Sequence, residues 1–154
     1  MDSQFNKIQN IKMYCISMNP LHLKLIEKLK YTPVGLGESI FSQEWLGDKT
    51  EKNIASKNKN YGEYTFHYWL WKNNKVNFDG WVGFCQYRKF WKKNLNNCND
   101  SNLETFDNIL LKKIPQNLNV YDAIIGESHF VNEFRLSKFI KNNFKNMVSK
   151  PSLF

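Results

Sequence analysis

Apolar residues recur along this chain at two different spacings, which predict alternating strands and helices. Residues 12–17 and 80–87 are short apolar runs bounded by Asn-Pro or Asp-Gly, a pattern typical of buried strands. Residues 120–125 form a third such run, closed by Gly126. Apolar side chains recurring every three or four residues predict helices over 21–30, 61–73, 103–113 and 131–147.

The segments between these elements predict a single α/β domain. Residues 32–37 carry Pro and Gly and are expected to end the helix over 21–30. Residues 38–59 and 94–102 are polar and predict loops. A loop as long as 38–59 is uncommon in a compact domain unless it is functional. The alternation of strands and helices indicates an α/β fold, with a tail over 1–10 and one domain over 11–154.

Composition indicates a packed globule with a basic surface. Apolar residues make up 42% of the 154 residues and aromatic ones 16%, while Lys and Arg exceed Asp and Glu by 22 − 14 = 8. One basic cluster is Arg88, Lys89, Lys92 and Lys93, and no acidic residue follows Glu133. Four interpretations stay open: a solvated basic face, an anionic substrate, nucleic acid, or an anionic membrane surface.

The cysteines and histidines do not form a recognisable metal or disulfide pattern. Cys15, Cys85 and Cys98 are widely spaced, and the three histidines are scattered. We interpret Cys15 and Cys85, which lie in apolar runs, as small buried hydrophobic residues. The polar N-terminus lacks the apolar stretch of a signal peptide, and no run reaches the ~18 apolar residues of a membrane span. We therefore expect a cytoplasmic protein.

Two predicted strands end in residues suited to ligand binding. Ser17-Met18-Asn19-Pro20 follows the first strand, and Gln86-Tyr87-Arg88-Lys89 ends the second. In open α/β sheets, ligands bind beyond the carboxyl ends of strands. An Arg there can hold a phosphate through two hydrogen bonds, although a structural salt bridge is an alternative role for Arg88. The chain shows no phosphate-binding Gly-rich motif and no Asp-x-Asp.

The stretch over 48–88 resembles a known bacterial family. Its motifs are Asp48-x-Thr50-x-x-Asn53-Ile54-x-Ser56-Lys57-Asn58, Tyr61-x-Glu63-x-Thr65, Tyr68-Trp69-x-Trp71-Lys72-Asn73 and Gly83-x-x-x-Tyr87-Arg88. They are similar to those of a domain-of-unknown-function family found in capsular and exopolysaccharide gene clusters. That family is regarded as made of glycosyltransferases with a GT-A-type fold, so the resemblance implies a Rossmann-like αβα sandwich with a mixed, mainly parallel sheet.

The resemblance also implies a function and a set of site residues. The function is transfer of a sugar from a nucleotide-sugar donor to a saccharide or lipid-linked saccharide acceptor, at the inner face of the membrane. Glu63 and Asp48 are the candidate catalytic residues, and Arg88, with Lys57, is expected to balance the diphosphate. The donor site would be lined by Asn53, Ser56, Lys57, Asn58, Glu63, Thr65, Trp69, Gln86, Tyr87 and Arg88.

This chain departs from the family pattern in two respects. The family usually has His-Tyr-Arg-Arg where this chain has Gln86-Tyr87-Arg88-Lys89, so an amide replaces a titratable group. Family members also continue beyond Phe154, so we expect this chain to be incomplete at its C-terminus.

Metal use and the class of function stay open at this stage. Without Asp-x-Asp, the site is either metal-free, or Mg²⁺ or Mn²⁺ is held by Asp48 or Asp122, or by residues beyond the chain. The alternatives to an enzyme are a basic module that binds single-stranded nucleic acid and a non-catalytic scaffold of the polysaccharide machinery.

Overall fold

The computed structural model describes residues 10–76, 79–93 and 109–126. The chain divides into two compact units, Met1–Asp122 and Ala123–Phe154, and every element below belongs to the first. The second unit lies almost wholly outside the described residues, as does the predicted helix over 131–147. The prediction of one domain over 11–154 therefore stays a prediction.

Three parallel strands form the sheet, which confirms the α/β class. They are β1 (Ile11–Ser17), β2 (Thr32–Gly35) and β3 (Trp81–Gln86), and they lie in the order β2-β1-β3. β1 is central, pairing Cys15 with Pro33 on one side and with Cys85 on the other. Because helices cover both faces of a parallel sheet, its central strand is buried on both sides, which explains the mainly apolar sequence of β1.

Helices pack on both faces of this sheet because successive strand residues point in opposite directions. Met13 and Cys15 join a cluster with Ile26 and Leu29, which come from α1 (Leu23–Lys28) and its C-terminal end. Tyr14 and Ile16 join the opposite cluster, in which α3 (Tyr64–Lys72) supplies Phe66, Trp69 and Leu70. The helix predicted over 61–73 is thus present as α3, and its apolar residues at helical spacing are buried.

The irregular stretch between β2 and α3 agrees with the predicted loop. It contains one 3-10 turn at Ala55–Lys57 and the single-turn helix α2 (Asn58–Tyr61). The helix predicted over 21–30 is also confirmed, as a 3-10 turn at Pro20–His22 that leads into α1. The Asn19 side chain accepts a hydrogen bond from the backbone N–H of Leu21 (3.0 Å), and Pro20 lacks the N–H that a helix start cannot use.

The helix ends before residues 32–37, as predicted, but the strand β2 within this segment was not predicted. Pro and Gly usually argue against a strand, yet the Pro33 carbonyl accepts from the Leu46 N–H at 3.0 Å. The Leu46 carbonyl in turn accepts from the Gly35 N–H at 2.8 Å, and Val34 forms a parallel bridge with Leu46. The chain at Leu46 therefore runs alongside β2 in the same direction.

Two further predictions fail near the end of the described residues. Residues 120–125 form no strand: Val120 is exposed, and the Tyr121 N–H bonds to the Leu118 carbonyl in a turn. No strand among the described residues pairs with this run. The helix predicted over 103–113 does not include 110–113, because Leu110 and Lys113 form bridges with Lys92 and Asn10. Residues 103–108 and the predicted loop over 94–102 lie outside the described residues.

Candidate functional site

The carboxyl ends of the three parallel strands lie at the same edge of the sheet. Leaving β1 at this edge, the chain forms its later strands on opposite sides of β1. From the central β1, the chain passes first to β2 on one side and later to β3 on the other. At such a switch point the connections leave two neighbouring strands in opposite directions, and α/β proteins commonly bind ligands there. Here the two neighbouring strands are β1, which ends at Ser17, and β3, which ends at Gln86.

The last residues of β3 contact the two helical layers in turn. Gln86 lies on the α3 side, where its Nε2 donates a hydrogen bond of 2.5 Å to Oε2 of Glu63, just before that helix. Tyr87 lies on the α1 side, where its ring stacks on the His22 ring with centroids 3.9 Å apart and planes 22° apart. The exposed Arg88 guanidinium carbon lies 5.9 Å from the centroid of the Tyr87 ring.

His22 is also tied to the end of β1. Its Nδ1 lies 2.8 Å from Oγ of Ser17, the buried last residue of that strand. The same hydroxyl lies 3.0 Å from the Asn19 N–H and 3.2 Å from the Asn19 carbonyl. His22 therefore bridges the ends of β1 and β3 at the switch point.

Asn58 and Thr65 line the side of the edge nearest β2. The Asn58 amide donates to the Gly62 carbonyl (2.8 Å) and to Oγ1 of Thr65 (3.1 Å), and that hydroxyl donates to the same carbonyl (3.0 Å). Oδ1 of Asn58 lies beside Gly37, just past the end of β2: a Cβ placed on that glycine would be 3.6 Å from it. Thr65 is fully buried, so its role is to hold Asn58 in place.

Asn53 and Trp69 build the loop that precedes α2. The Asn53 amide donates to the carbonyls of Lys49 (3.2 Å) and Glu51 (3.0 Å), and its oxygen accepts from the Ala55 N–H (3.2 Å). Trp69 is buried, with its indole N–H on the Thr50 carbonyl at 2.9 Å. The polar groups of these two residues are thus engaged by the protein, whereas Ser56 and Lys57 are exposed.

Asp48 is a buried carboxylate with an unpaired oxygen. It follows the segment that runs alongside β2, and only 1% of its surface is exposed. Its Oδ2 contacts no hydrogen-bond donor in the described part of the chain. Burying such an oxygen without a donor costs free energy that a bound ligand can recover.

The described residues do not fit a divalent metal. Over residues 10–76, 79–93 and 109–126, no three His, Cys, Asp or Glu side chains come together as a ligand set. Mg²⁺ and Ca²⁺ sites need several oxygen ligands, and Asp48 is buried while Asp122 is exposed. We therefore derive no step through a metal.

His67 lies on α3, one turn after Glu63, and is partly buried. Its ring centroid is 4.2 Å from that of Phe84, and its Nε2 is buried with no partner among the described residues. Burial lowers the pKa of His67 below its ordinary value, and the nearby Glu63 charge only partly opposes this effect.

Cys15 and Cys85 face each other across β1 and β3 as free thiols in the core. A hydrogen bond with Cys15, together with burial, raises the pKa of the Cys85 thiol. Raised thiol pKa values make the reactive thiolate scarce. The prediction that both residues act as small buried hydrophobic side chains is confirmed.

The basic segment over 88–93, which follows β3, packs its aromatic residues toward the core. Phe90 and Trp91 pack against the α1-side cluster, and the Trp91 indole donates to the Phe84 carbonyl at 2.8 Å. Arg88, Lys89, Lys92 and Lys93 are exposed. In the part of the chain that the structure covers, no helix has the length and apolar character needed to cross a membrane.

Sequence reasoning placed Gln86, Tyr87 and Arg88 at a strand end but missed His22. The histidines looked scattered because their spacing carries no metal or catalytic motif. The signal that could have found His22 is Asn19-Pro20, which marks a helix start directly after a strand. A histidine two residues into that turn must stay near the strand end.

Comparison with known proteins gives a family but no characterised relative. A search of curated proteins and a search of solved structures each returned no match. A family model described as a domain of unknown function, DUF4422, matches residues 12–151, which is nearly the whole chain. The chain therefore belongs to the DUF4422 family.

Proposed function

We propose that this chain is the donor-binding part of a glycosyltransferase with a GT-A-type fold. It would transfer a sugar from a nucleotide-sugar donor to a growing surface saccharide, working at the inner face of the membrane. The observation that carries the proposal is the meeting, at the switch point, of the Glu63–Gln86 pair with Tyr87 and Arg88. A carboxylate and amides suit sugar hydroxyls, and a guanidinium suits a diphosphate.

The charge of each residue at this edge suits it to one part of the nucleotide sugar. Arg88 and the adjacent Lys89 are exposed cations that would hold the diphosphate and offset the charge of the departing nucleotide. Glu63 has its Oε2 engaged by Gln86, which leaves Oε1 to accept from a sugar hydroxyl. The side-chain amide nitrogen of Asn58 donates to Gly62 and Thr65 within the fold. Its side-chain oxygen, beside Gly37, is therefore the group available to the nucleotide sugar.

Asp48 would serve the same donor from the β2 side. Its unpaired Oδ2 needs a hydrogen-bond donor, and the hydroxyls of a ribose or a hexose are such donors. We therefore assign Asp48 to binding of the donor, as an acceptor for one of its hydroxyls.

The nucleic-acid alternative has less support from these contacts. Single-strand binders stack bases on exposed aromatic rings beside cations. In the segment over 86–93, Tyr87 stacks on His22, and Phe90 and Trp91 pack on the core. The cations of this segment are exposed, but the ring beside Arg88, that of Tyr87, is already stacked on His22.

A calorimetric screen of the chain against UDP-, GDP-, CDP- and ADP-sugars, with and without Mn²⁺, tests the proposal. We expect selective binding of one nucleotide class, weakened about tenfold or more by Arg88→Ala, since hydrogen bonds to charged groups contribute about 1.5–3 kcal/mol. Lys28→Ala is the matched control, because it removes an exposed positive charge at the far end of α1. Equal weakening by both variants would indicate a diffuse charge effect, and no binding to any donor would refute the proposal.

A further inference from the structure

The three contacts of the Ser17 hydroxyl determine where the proton of His22 lies. A hydroxyl has one hydrogen to donate and two lone pairs that accept. The Asn19 N–H, at 3.0 Å, can only donate to Oγ, and the Asn19 carbonyl, at 3.2 Å, can only accept from it. The single hydroxyl hydrogen is then used on that carbonyl.

His22 must accordingly be the donor in the remaining contact. Its Nδ1 lies 2.8 Å from Oγ, so all three contacts are hydrogen bonds only if Nδ1 carries the hydrogen. In the neutral ring, Nε2 then carries a lone pair. No hydrogen bond joins Nε2 to another described residue, so within the described part of the chain this lone pair is available to a ligand.

The ring is also fixed in its plane. Tyr87 stacks on it at 3.9 Å, and Ser17, which is 2% exposed, anchors it at the end of β1. The same Tyr87 ring lies 5.9 Å from the guanidinium carbon of Arg88. A fixed basic nitrogen and a cation therefore flank one aromatic ring at the switch point.

We propose that His22 is the general base of the transfer, with Ser17 as its positioning residue; this rests on the glycosyltransferase function proposed above. In a direct displacement, Nε2 takes the proton of the acceptor hydroxyl. The oxygen of that hydroxyl at the same time forms a bond to the anomeric carbon of the donor. The bond from that carbon to the diphosphate oxygen breaks, and its electron pair leaves with the diphosphate. Arg88 offsets the charge that develops there.

The test combines a spectroscopic measurement with a rate measurement on the full chain. Two-bond ¹H–¹⁵N correlation spectra of histidine-labelled protein distinguish the two tautomers without any substrate. We expect the Nδ1–H form for His22 in the wild type and loss of that preference in Ser17→Ala. Nucleotide release is then followed with UDP-, GDP-, CDP- and ADP-glucose, with water as the acceptor.

We expect His22→Gln to slow release about 100-fold or more, within the usual range for a general base, while the donor Kd measured by calorimetry stays unchanged. His67→Gln removes a histidine outside the edge and is the matched control, with release near the wild-type rate. An Nε2–H tautomer in the wild type, or undiminished release by His22→Gln, would overturn the base role. Failure of the wild type to bind any donor would instead overturn the proposed function, and the calorimetry separates these results.

Discussion

Gln86 and Glu63 are joined by a hydrogen bond of 2.5 Å that links the end of β3 to the start of α3. The pair is half-buried, so the carboxylate of Glu63 depends on the amide for one of its donors. Gln86 points toward α3 because it follows Val82 and Phe84 on the same face of the strand. One contact thus holds a candidate hydroxyl-binding carboxylate against the sheet edge.

Removing the donor from this pair should destabilise the protein. We expect Gln86→Ala to lower the free energy of unfolding by about 1–3 kcal/mol, because Glu63 loses a partner for a partly buried charge. Gln86→His keeps an N–H donor and should lose much less. Urea denaturation measures both variants, with the exposed Gln43→Ala as control. Equal stability of Gln86→Ala and the wild type would show that the contact contributes nothing.

Histidine 67 should make the stability of the fold depend on pH. The lowered pKa of His67 means that the unfolded chain binds this proton more readily than the folded chain. Its contribution is therefore fully present above the ordinary value of 6.5 and decreases as the pH falls from there toward the lowered pKa. Denaturant titrations between about pH 7.5 and 5 should show this loss in the wild type.

His67→Gln should remove that component, so the difference in unfolding free energy between wild type and variant should shrink or change in favour of the variant at low pH. Other groups that titrate cancel in this difference. A difference that is constant across the pH range would contradict the assignment to burial of the His67 ring.

Asp48→Asn should separate stability from binding. The buried, unpaired oxygen of Asp48 carries a desolvation cost, so removing its charge should raise the free energy of unfolding by about 1 kcal/mol. The same change should weaken donor binding, because the ligand loses a charged acceptor. Urea denaturation and calorimetry on one preparation measure both quantities. A loss of stability would mean that the carboxylate already has a partner within the fold.

Glycine at position 35 is required by close packing at the end of β2. A Cβ there would lie 2.5 Å from the Phe41 ring, which itself packs on Trp45 with centroids 5.0 Å apart. We expect Gly35→Ala to cost about 1–3 kcal/mol, because a ring held by another ring cannot easily move. Gly47→Ala, whose Cβ would lie 3.8 Å from the Gly35 carbonyl oxygen, is the control and should change stability by less than about 0.5 kcal/mol. Thermal unfolding of the two variants checks this contrast.

The sequence predicted those elements whose local pattern agrees with their place in the fold. β1 and β3 are apolar runs with clear boundaries, and the inward residues of α3 recur at helical spacing. β2 was not predicted because Pro33 and Gly35 argue locally against a strand. Its hydrogen bonds to Leu46 and its pairing with β1 come from other parts of the chain. The run at 120–125 has the apolar pattern of a strand but forms none, because a strand also requires a neighbouring strand to pair with.

The site was predictable to the same degree. Gln86 and Arg88 could be placed at a sheet edge because the strand that carries them could be recognised. The pairing of Tyr87 with His22 joins residues 65 positions apart through tertiary packing, so local spacing could not reveal it. Asn53 and Trp69 use their polar groups to shape the loop, and their place in the donor site stays a prediction.

The location of the donor site is tested most directly by mapping amide chemical shifts in ¹H–¹⁵N spectra as a nucleotide sugar is added. The tightest ligand among UDP-, GDP-, CDP- and ADP-sugars is the probe. We predict that the largest shifts fall at the carboxyl ends of β1 and β3, at residues 17–22 and 86–88, and around Glu63. The amino ends of the same strands, at residues 11–12 and 81–82, should stay unchanged. Shifts concentrated at the amino ends, or spread evenly over the exposed lysines, would contradict a donor site at the switch point.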